Sequence, residues 1–274
     1  MKRIELPRAL AVAVQAARAA GGLMRRNARA VKKINEATQH DIKLELDVRC
    51  QKLIERTLRR QFPAIAILGE EGVLGDPNSA ARWVVDPIDG TVNFAYGIPH
   101  ACVCVALQLK AKKMNRAQVK AGGAFSDGYE TMVGVVYDPF LDELWTAVRG
   151  QSARLNGQPI RVSERKKLNE AIIAMGFAKY RETLAATLPV LNRLVHRVRK
   201  IRILGAAALS MVWVANGRMD AYRERGVRLW DIAAGGLIVE CAGGEFWRRA
   251  LPGEYSYEII ANNGKLRRQI LAVG

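Results

Sequence analysis

Trp83-Val84-Val85-Asp86-Pro87-Ile88-Asp89-Gly90-Thr91 is the stretch on which the reading of this chain turns. An apolar run leads into two carboxylates three residues apart, with the turn formers Pro87 and Gly90 set among them. A short apolar run bounded by turn formers predicts a buried strand. The carboxylates then fall at the strand end, where a proline-stiffened turn converges them on a cation and Gly90 permits a tight bend. A helix opening here would aim the N–H groups of Gly90 and Thr91 outward at its positive end, a seat for phosphate. Taken alone, the same residues are equally good turn chemistry.

Two further acidic motifs share the pattern. Gly69-Glu70-Glu71 follows the apolar run 65–68, and Trp230-Asp231-Ile232-Ala233-Ala234-Gly235 opens a predicted helix over 231–241. Asp231 suits an N-cap, and the small residues behind it let that helix pack closely. Asp47 starts a second predicted helix, 47–61, where a negative charge is favoured by the helix dipole. Each has a structural explanation by itself. Together, Asp47, Glu70, Asp86, Asp89 and Asp231 form an oxygen-rich set suited to a hard cation, and Mg²⁺ fits. Gathered without a cation, they would repel one another.

The rest of the pattern sets the fold class. An Ala- and Arg-rich amphipathic helix is expected over 6–33, with Pro7 in its first turn. Strands are expected at 65–68, 83–85, 101–109, 132–137 and 143–148, and Asn156-Gly157 marks a hairpin. A strand at 171–175, helices at 182–199 and 206–216, a strand near 220–222, the helix 231–241 and a strand at 257–261 complete the alternation. Mixed strands and helices predict a layered α/β (α+β) architecture. Residues 1–155 are read as an α+β metal- and phosphate-binding domain, and 156–274 as an α/β domain completing the site.

Composition narrows the function classes. Half of the 274 residues are hydrophobic and a quarter charged, which excludes disorder and fibrous repeats. A spanning helix needs about 20 apolar residues, and the first Ala-rich stretch is broken by Arg8, Arg18, Arg25 and Arg26. Cys50, Cys102, Cys104 and Cys241 form no C-x-x-C pair, so reduced, buried thiols in the cytoplasm are expected rather than a zinc site. Cys102 and Cys104 would share one strand face with little else in sequence near them. The net charge of +17 is uneven, and residues 36–90, with ten acidic and seven basic side chains, are the net-acidic stretch. Four of the five candidate ligands lie there. The basic clusters Arg25, Arg26, Arg29, Lys32, Lys33 and Arg193, Arg197, Arg199, Lys200, Arg202 read either as solvated faces or as a surface for RNA or a nucleoprotein. No RNA-binding motif or aromatic platform accompanies them.

Six ordered blocks resemble the inositol monophosphatase family of Mg²⁺-dependent, commonly lithium-sensitive phosphomonoesterases. They are Gly69-Glu70-Glu71; residues 83–94; Gly134-Val135-Val136-Tyr137-Asp138-Pro139; Leu155-Asn156-Gly157-Gln158-Pro159-Ile160; Gly217-Arg218-Met219-Asp220-Ala221-Tyr222; and residues 230–235. The resemblance implies an αβαβα layered sandwich, shared with the fructose-1,6-bisphosphatases, and a homodimer. It implies that Glu70, Asp86 and the carbonyl of Ile88 hold one Mg²⁺, that Asp86, Asp89 and Asp231 hold a second, and that Glu70 reaches a third through water. Gly90 and Thr91 would bind phosphate, and Gly205, Ala206, Ala207, Glu224 and Asp231 the alcohol half, with Glu70, Ile88 and Asp89 also facing substrate. The implied reaction is hydrolysis of a small polyol or sugar phosphate, inositol 1-phosphate first. A metal-activated water attacks in line, oriented by Thr91, Glu70 and Asp47. Histidinol phosphate, fructose 1,6-bisphosphate and 3′-phosphoadenosine phosphates remain open as substrates.

The chain departs from the family pattern in three places. Asp41-Ile42-Lys43-Leu44-Glu45-Leu46-Asp47 lacks the usual threonine, which lowers the third-metal and lithium expectations. Gly205-Ala206-Ala207-Ala208 lacks a hydroxyl near the alcohol site. A basic, then Gly-rich insertion separates Lys110 from Tyr129.

Overall fold

The structure, a computed structural model, describes residues 4–37, 42–111, 125–177 and 181–273. Asp41 and most of the insertion before Tyr129 therefore lie outside the described residues. Helix α1 (Leu6–Asn27) carries a stripe of small residues, Ala9, Ala13, Ala16, Ala17 and Ala20, all buried. The stripe faces α2 (Glu45–Gln61) and the larger sheet, and alanine lets the elements approach closely. The helix stops six residues before the expected end at 33. Lys32 Nζ donates to the carbonyls of Asn27, Ala28 and Ala30, at 2.9, 2.7 and 2.9 Å, so a side chain satisfies the last turn. The chain then enters a two-stranded ribbon, β1 (Ile34–Ala37) with β2 (Ile42–Leu44).

The larger sheet holds β3 (Ala66–Gly69), β4 (Gly72–Leu74), β5 (Ala81–Asp89), β6 (Cys102–Lys110), β7 (Tyr129–Asp138), β8 (Glu143–Val148), β9 (Arg154–Leu155) and β10 (Gln158–Pro159). Its order is β10-β9-β8-β7-β6-β5-β3-β4. Every residue of β5 is buried, as expected of a strand covered on both faces. Short helix α3 (Thr91–Ala95) joins β5 to β6. All neighbouring pairs are antiparallel except β3 with β5. That parallel pair aligns Gly69 with Val85, so both strands deliver their acidic ends to the same edge.

The smaller sheet has order β12-β11-β13-β15-β14. Its strands are β11 (Ile172–Met175), β12 (Lys200–Arg202), β13 (Ala221–Arg228), β14 (Glu245–Ala250) and β15 (Ser256–Asn262). Among them run α4 (Arg181–Val195), α5 (Ala207–Ala215), α6 (Leu229–Cys241) and α7 (Arg267–Leu271). Helices α5 and α6 contact both sheets and are buried almost all round, which is why both are apolar around most of their circumference. On the far side of the small sheet, Val190 and Leu194 of α4 and Ile270 of α7 pack with Ile173, Met175 and Ile260. The layers are therefore helix, sheet, helix, sheet, helix: the αβαβα sandwich.

Two features tie the sandwich together. One buried cluster runs between the sheets from Leu68 and Val84 to Ile259 and Ala261. At the contact of β7 with α6, a Cβ on Gly134 would sit 2.8 Å from the Ala234 carbonyl oxygen, so only glycine lets the two backbones meet. The hairpin at Asn156-Gly157 joins β9 to β10, which ends the larger sheet. Among the described residues, no helix is long and apolar enough to cross a membrane.

Candidate functional site

The ends of β3 and β5 open on a cavity of about 290 Å³ between the two sheets. β5 contributes Asp86, Ile88 and Asp89, and β3 leads directly to Glu70, whose N–H donates to the Val85 carbonyl at 3.1 Å. A bulge in the β5–β6 pairing between Asp86 and Asp89 shifts the register there. Asp86 Oδ1 accepts the Ile88 N–H at 3.0 Å, which fixes the turn, and Thr91 Oγ1 donates to the Ile88 carbonyl at 2.8 Å. That carbonyl oxygen keeps a second lone pair for another partner. Gly90 has φ 89°, in the left-handed region, and a Cβ there would lie 2.9 Å from the His100 carbonyl oxygen.

Asp89 joins the two halves of the site. Its Oδ1 accepts the Ala207 N–H at 3.1 Å and its Oδ2 the Ala208 N–H at 2.8 Å, both in the first turn of α5. A carboxylate there satisfies free helix donors and lies at the positive end of the dipole. Asp231 stands in the first turn of α6 and its Oδ2 accepts the Arg228 N–H at 2.8 Å. Glu224, on β13, lines the same cavity and accepts the Tyr222 hydroxyl. Gly90, Thr91, Gly205, Ala206 and Ala207 complete the predicted lining.

The electrostatics are those of crowded, dehydrated carboxylates. Burial first, and then the charge of Glu70, push Asp86 and Asp231 well above the usual carboxylate range. Burial raises Asp89 to about 6, against the opposing pull of the N–H groups of Ala208 and Ala207. Cations in the cavity would relieve this repulsion. The carboxylates and the Ile88 carbonyl form an all-oxygen set that fits a hard divalent ion. Such an ion would answer to Glu70, Asp86, Ile88, Asp89 and Asp231.

These carboxylates are spread around the cavity wall. Among the described residues, the set of metal-ligating side chains that closes to within 4.8 Å is a different one, Asp89 with Cys102 and Cys104. Both thiols are buried behind Asp89, and burial raises both. Spacing along the sequence hid this set because its third member comes from the neighbouring strand.

Every other predicted site residue lines the cavity, but Asp47 does not. It is buried in the first turn of α2, where its Oδ2 accepts the Leu44 N–H at 2.7 Å. Sequence reasoning missed Asn93, Phe177, Ser210 and Tyr222, which also line the cavity. Asn93 Nδ2 donates to the carbonyls of His100 and Leu204, at 2.9 and 2.8 Å, and so joins the loop after Asp89 to the loop before α5. Asn93 sits in the resembling block, but its role is visible only once Leu204 arrives from the other half. Away from the cavity, Arg25, Arg26, Arg29, Arg193, Arg197, Arg199, Lys200 and Arg202 are exposed.

Comparison with known proteins agrees with this fold. The profile of the inositol monophosphatase family matches residues 5–115 and 124–272. The chain is 36% identical to Nus factor SuhB of Xylella fastidiosa, across 97% of this chain and 94% of that protein. It is also 36% identical to inositol monophosphatase 1 of Solanum lycopersicum, across 86% and 82%. Among solved structures, the suhB protein of Bartonella henselae superposes with a TM-score of 0.83 at 32% identity, covering 97% of each chain. Inositol monophosphatase from Anabaena (Nostoc) superposes with a TM-score of 0.80 at 31% identity, covering 98% and 95%. With its oxygen-rich cavity, its αβαβα layers and these matches, the chain belongs to the inositol monophosphatase family.

Proposed function

We propose that the protein is a Mg²⁺-dependent phosphatase of a small polyol or sugar phosphate, with inositol 1-phosphate as the first candidate. The observation that carries this reading is the convergence of Glu70, Asp86, Asp89 and Asp231 with Gly90 and Thr91 on one cavity between the sheets. Bound there, divalent cations would supply Lewis-acid charge, activating water and neutralising phosphate oxygens. The chain's own residues do the positioning. Asp86, Asp89, Asp231, Glu70 and the Ile88 carbonyl hold the cations. The backbone at Gly90 and Thr91 faces the phosphate. Thr91 Oγ1, fixed on Ile88, and Glu70 orient the attacking water in line with the leaving oxygen. Glu224 accepts a hydroxyl of the alcohol half, and Gly205, Ala206 and Ala207 shape its pocket. Asp86 and Asp89 are buried, and their dehydrated surroundings strengthen the contacts they make.

The test is phosphate release from inositol 1-phosphate, fructose 1,6-bisphosphate, histidinol phosphate and 3′-phosphoadenosine phosphates, with Mg²⁺ and with EDTA. Release from at least one substrate that EDTA abolishes supports the reading. No release from any of them with Mg²⁺ overturns it. The same reading takes the protein as a cytoplasmic homodimer, which its four cysteines, none in a disulfide, and its family suit.

A second reading is favoured by the relatives named Nus factor and by the exposed basic residues of α1, α4 and β12. It makes the chain an accessory that binds RNA or a nucleoprotein. Retention of RNA at physiological ionic strength that falls steeply with salt supports it; no retention removes the RNA form of this reading.

A further inference from the structure

Behind the carboxylate wall of the cavity lies a second kind of donor. Cys102 and Cys104 are two residues apart on β6, so their side chains leave the same face. Pairing with β5 sets Cys102 opposite Asp89 and Cys104 opposite Asp86, and the bulge lies between those two pairs. Cys102 Sγ lies 3.6 Å from Asp89 Oδ2 and 3.9 Å from Cys104 Sγ. These two lengths match edges of a tetrahedron around zinc, and the third, between Cys104 Sγ and the Asp89 carboxylate, closes to within 4.8 Å. Bonds of about 2.3 Å to sulfur and about 2.1 Å to oxygen give S···S edges of about 3.8 Å and S···O edges of about 3.6 Å.

We propose that Asp89, Cys102 and Cys104 form a site for a thiophilic divalent cation, Zn²⁺ or Cd²⁺, distinct in chemistry from the all-oxygen set beside it. Two thiolates select such an ion over Mg²⁺. Each thiol loses its proton as the sulfur–metal bond forms, so binding releases two protons and involves no redox change. Asp89 lines the cavity, so the ion would enter past its carboxylate to reach the two buried thiols. Because Asp89 belongs to both sets, occupancy by the soft ion draws a ligand away from the hard one and inhibits the phosphatase. This inhibitory consequence rests on the function proposed above; the binding itself does not.

The test is a titration of the full-length, reduced, metal-free protein with Cd²⁺, followed by thiolate-to-metal charge-transfer absorption in the ultraviolet. The expected result is a band that saturates at one Cd²⁺ per chain in excess Mg²⁺, is halved in Cys102→Ala or Cys104→Ala, and is lost in the double variant. Cys50 and Cys241 remain in that variant as internal controls. Protection of Cys102 and Cys104 from alkylation by Cd²⁺, mapped by mass spectrometry on the unmutated protein, gives the same answer if the double variant does not fold. An unchanged band in a folded double variant, or no band and no protection in the unmutated protein, overturns the site. In the activity arm, Zn²⁺ inhibition of Mg²⁺-supported phosphate release weakens at least about 10-fold in the double variant. Cd²⁺ binding without phosphate release from any substrate removes the phosphatase and leaves the site standing; phosphate release without Cd²⁺ binding does the reverse.

Discussion

Replacing Asp89 by Asn removes one negative charge from a buried set and tests what holds that charge there. Asp89 is raised from an ordinary value of 3.8 to about 6, chiefly by burial. At about 1.4 kcal/mol per pH unit, that rise corresponds to about 3 kcal/mol. The folded state binds this proton more tightly than the unfolded chain does. The contribution is therefore fully present below pH 3.8 and is lost as pH rises through about 6. Metal-free protein should lose about 3 kcal/mol on this account between pH 4 and 7, or about 6–12 °C in Tm. Asp86 and Asp231, raised in the same direction, steepen the slope further. Asp89→Asn should flatten it by about 3 kcal/mol. The amide also weakens the bonds from Ala207 and Ala208, a loss of about 1–3 kcal/mol at every pH, so the slope and not the absolute stability is the readout. Urea unfolding of EDTA-treated protein at a series of pH values measures it. Adding Mg²⁺ at pH 7.5 should restore stability to the parent and little to the variant. Parallel pH profiles for the two proteins would refute the buried-carboxylate argument, and equal Mg²⁺ stabilisation would remove Asp89 from the cation ligands.

Other substitutions probe the frame of the site. Gly90→Ala forces a side chain into the left-handed region and against the His100 carbonyl; thermal unfolding should show a loss of about 2–4 kcal/mol, with phosphate release falling alongside. Gly134→Val wedges β7 from α6, the helix that carries Asp231; we expect about 1–3 kcal/mol of destabilisation and a larger fall in kcat than in substrate affinity. Glu224→Gln should reduce turnover of inositol 1-phosphate more than of an aryl phosphate, and equal losses would make Glu224 a bystander. If the charge of +17 steers dianionic substrates, kcat/KM should fall as NaCl rises while kcat holds; a flat salt profile would exclude steering.

Much of the site was legible because its chemistry is local. A strand end followed by Asp86-Pro87-Ile88-Asp89-Gly90-Thr91 places carboxylates and a tight turn through neighbouring residues alone. The limits of elements were harder to read. β13 runs from Ala221 to Arg228, well past the expected 220–222, because the charged run Arg223-Glu224-Arg225 resembles surface loop. In the fold that run is paired along β15, and Glu258 bonds to Arg223 and Arg225 at 3.2 and 3.0 Å. Helix α4 ends at Val195 rather than 199 because the chain turns to pair Lys200–Arg202 with β11. Such endings depend on partners from elsewhere in the chain.

By itself the sequence determined the alternation of helices and strands, the acidic strand ends and the oxygen character of the site, since periodicity and turn chemistry act between close neighbours. Only the tertiary structure decided which of those residues meet. The parallel pairing of β3 with β5 brings Glu70 beside Asp86, while α5 and α6, held between the sheets, carry the N–H groups that bind Asp89 and deliver Asp231. It left Asp47 in the first turn of α2, outside the cavity lining, and set two cysteines behind Asp89 through the β5–β6 register. The physical reason is that strand register and layer packing are fixed by contacts between segments far apart in the chain, and no local pattern encodes them.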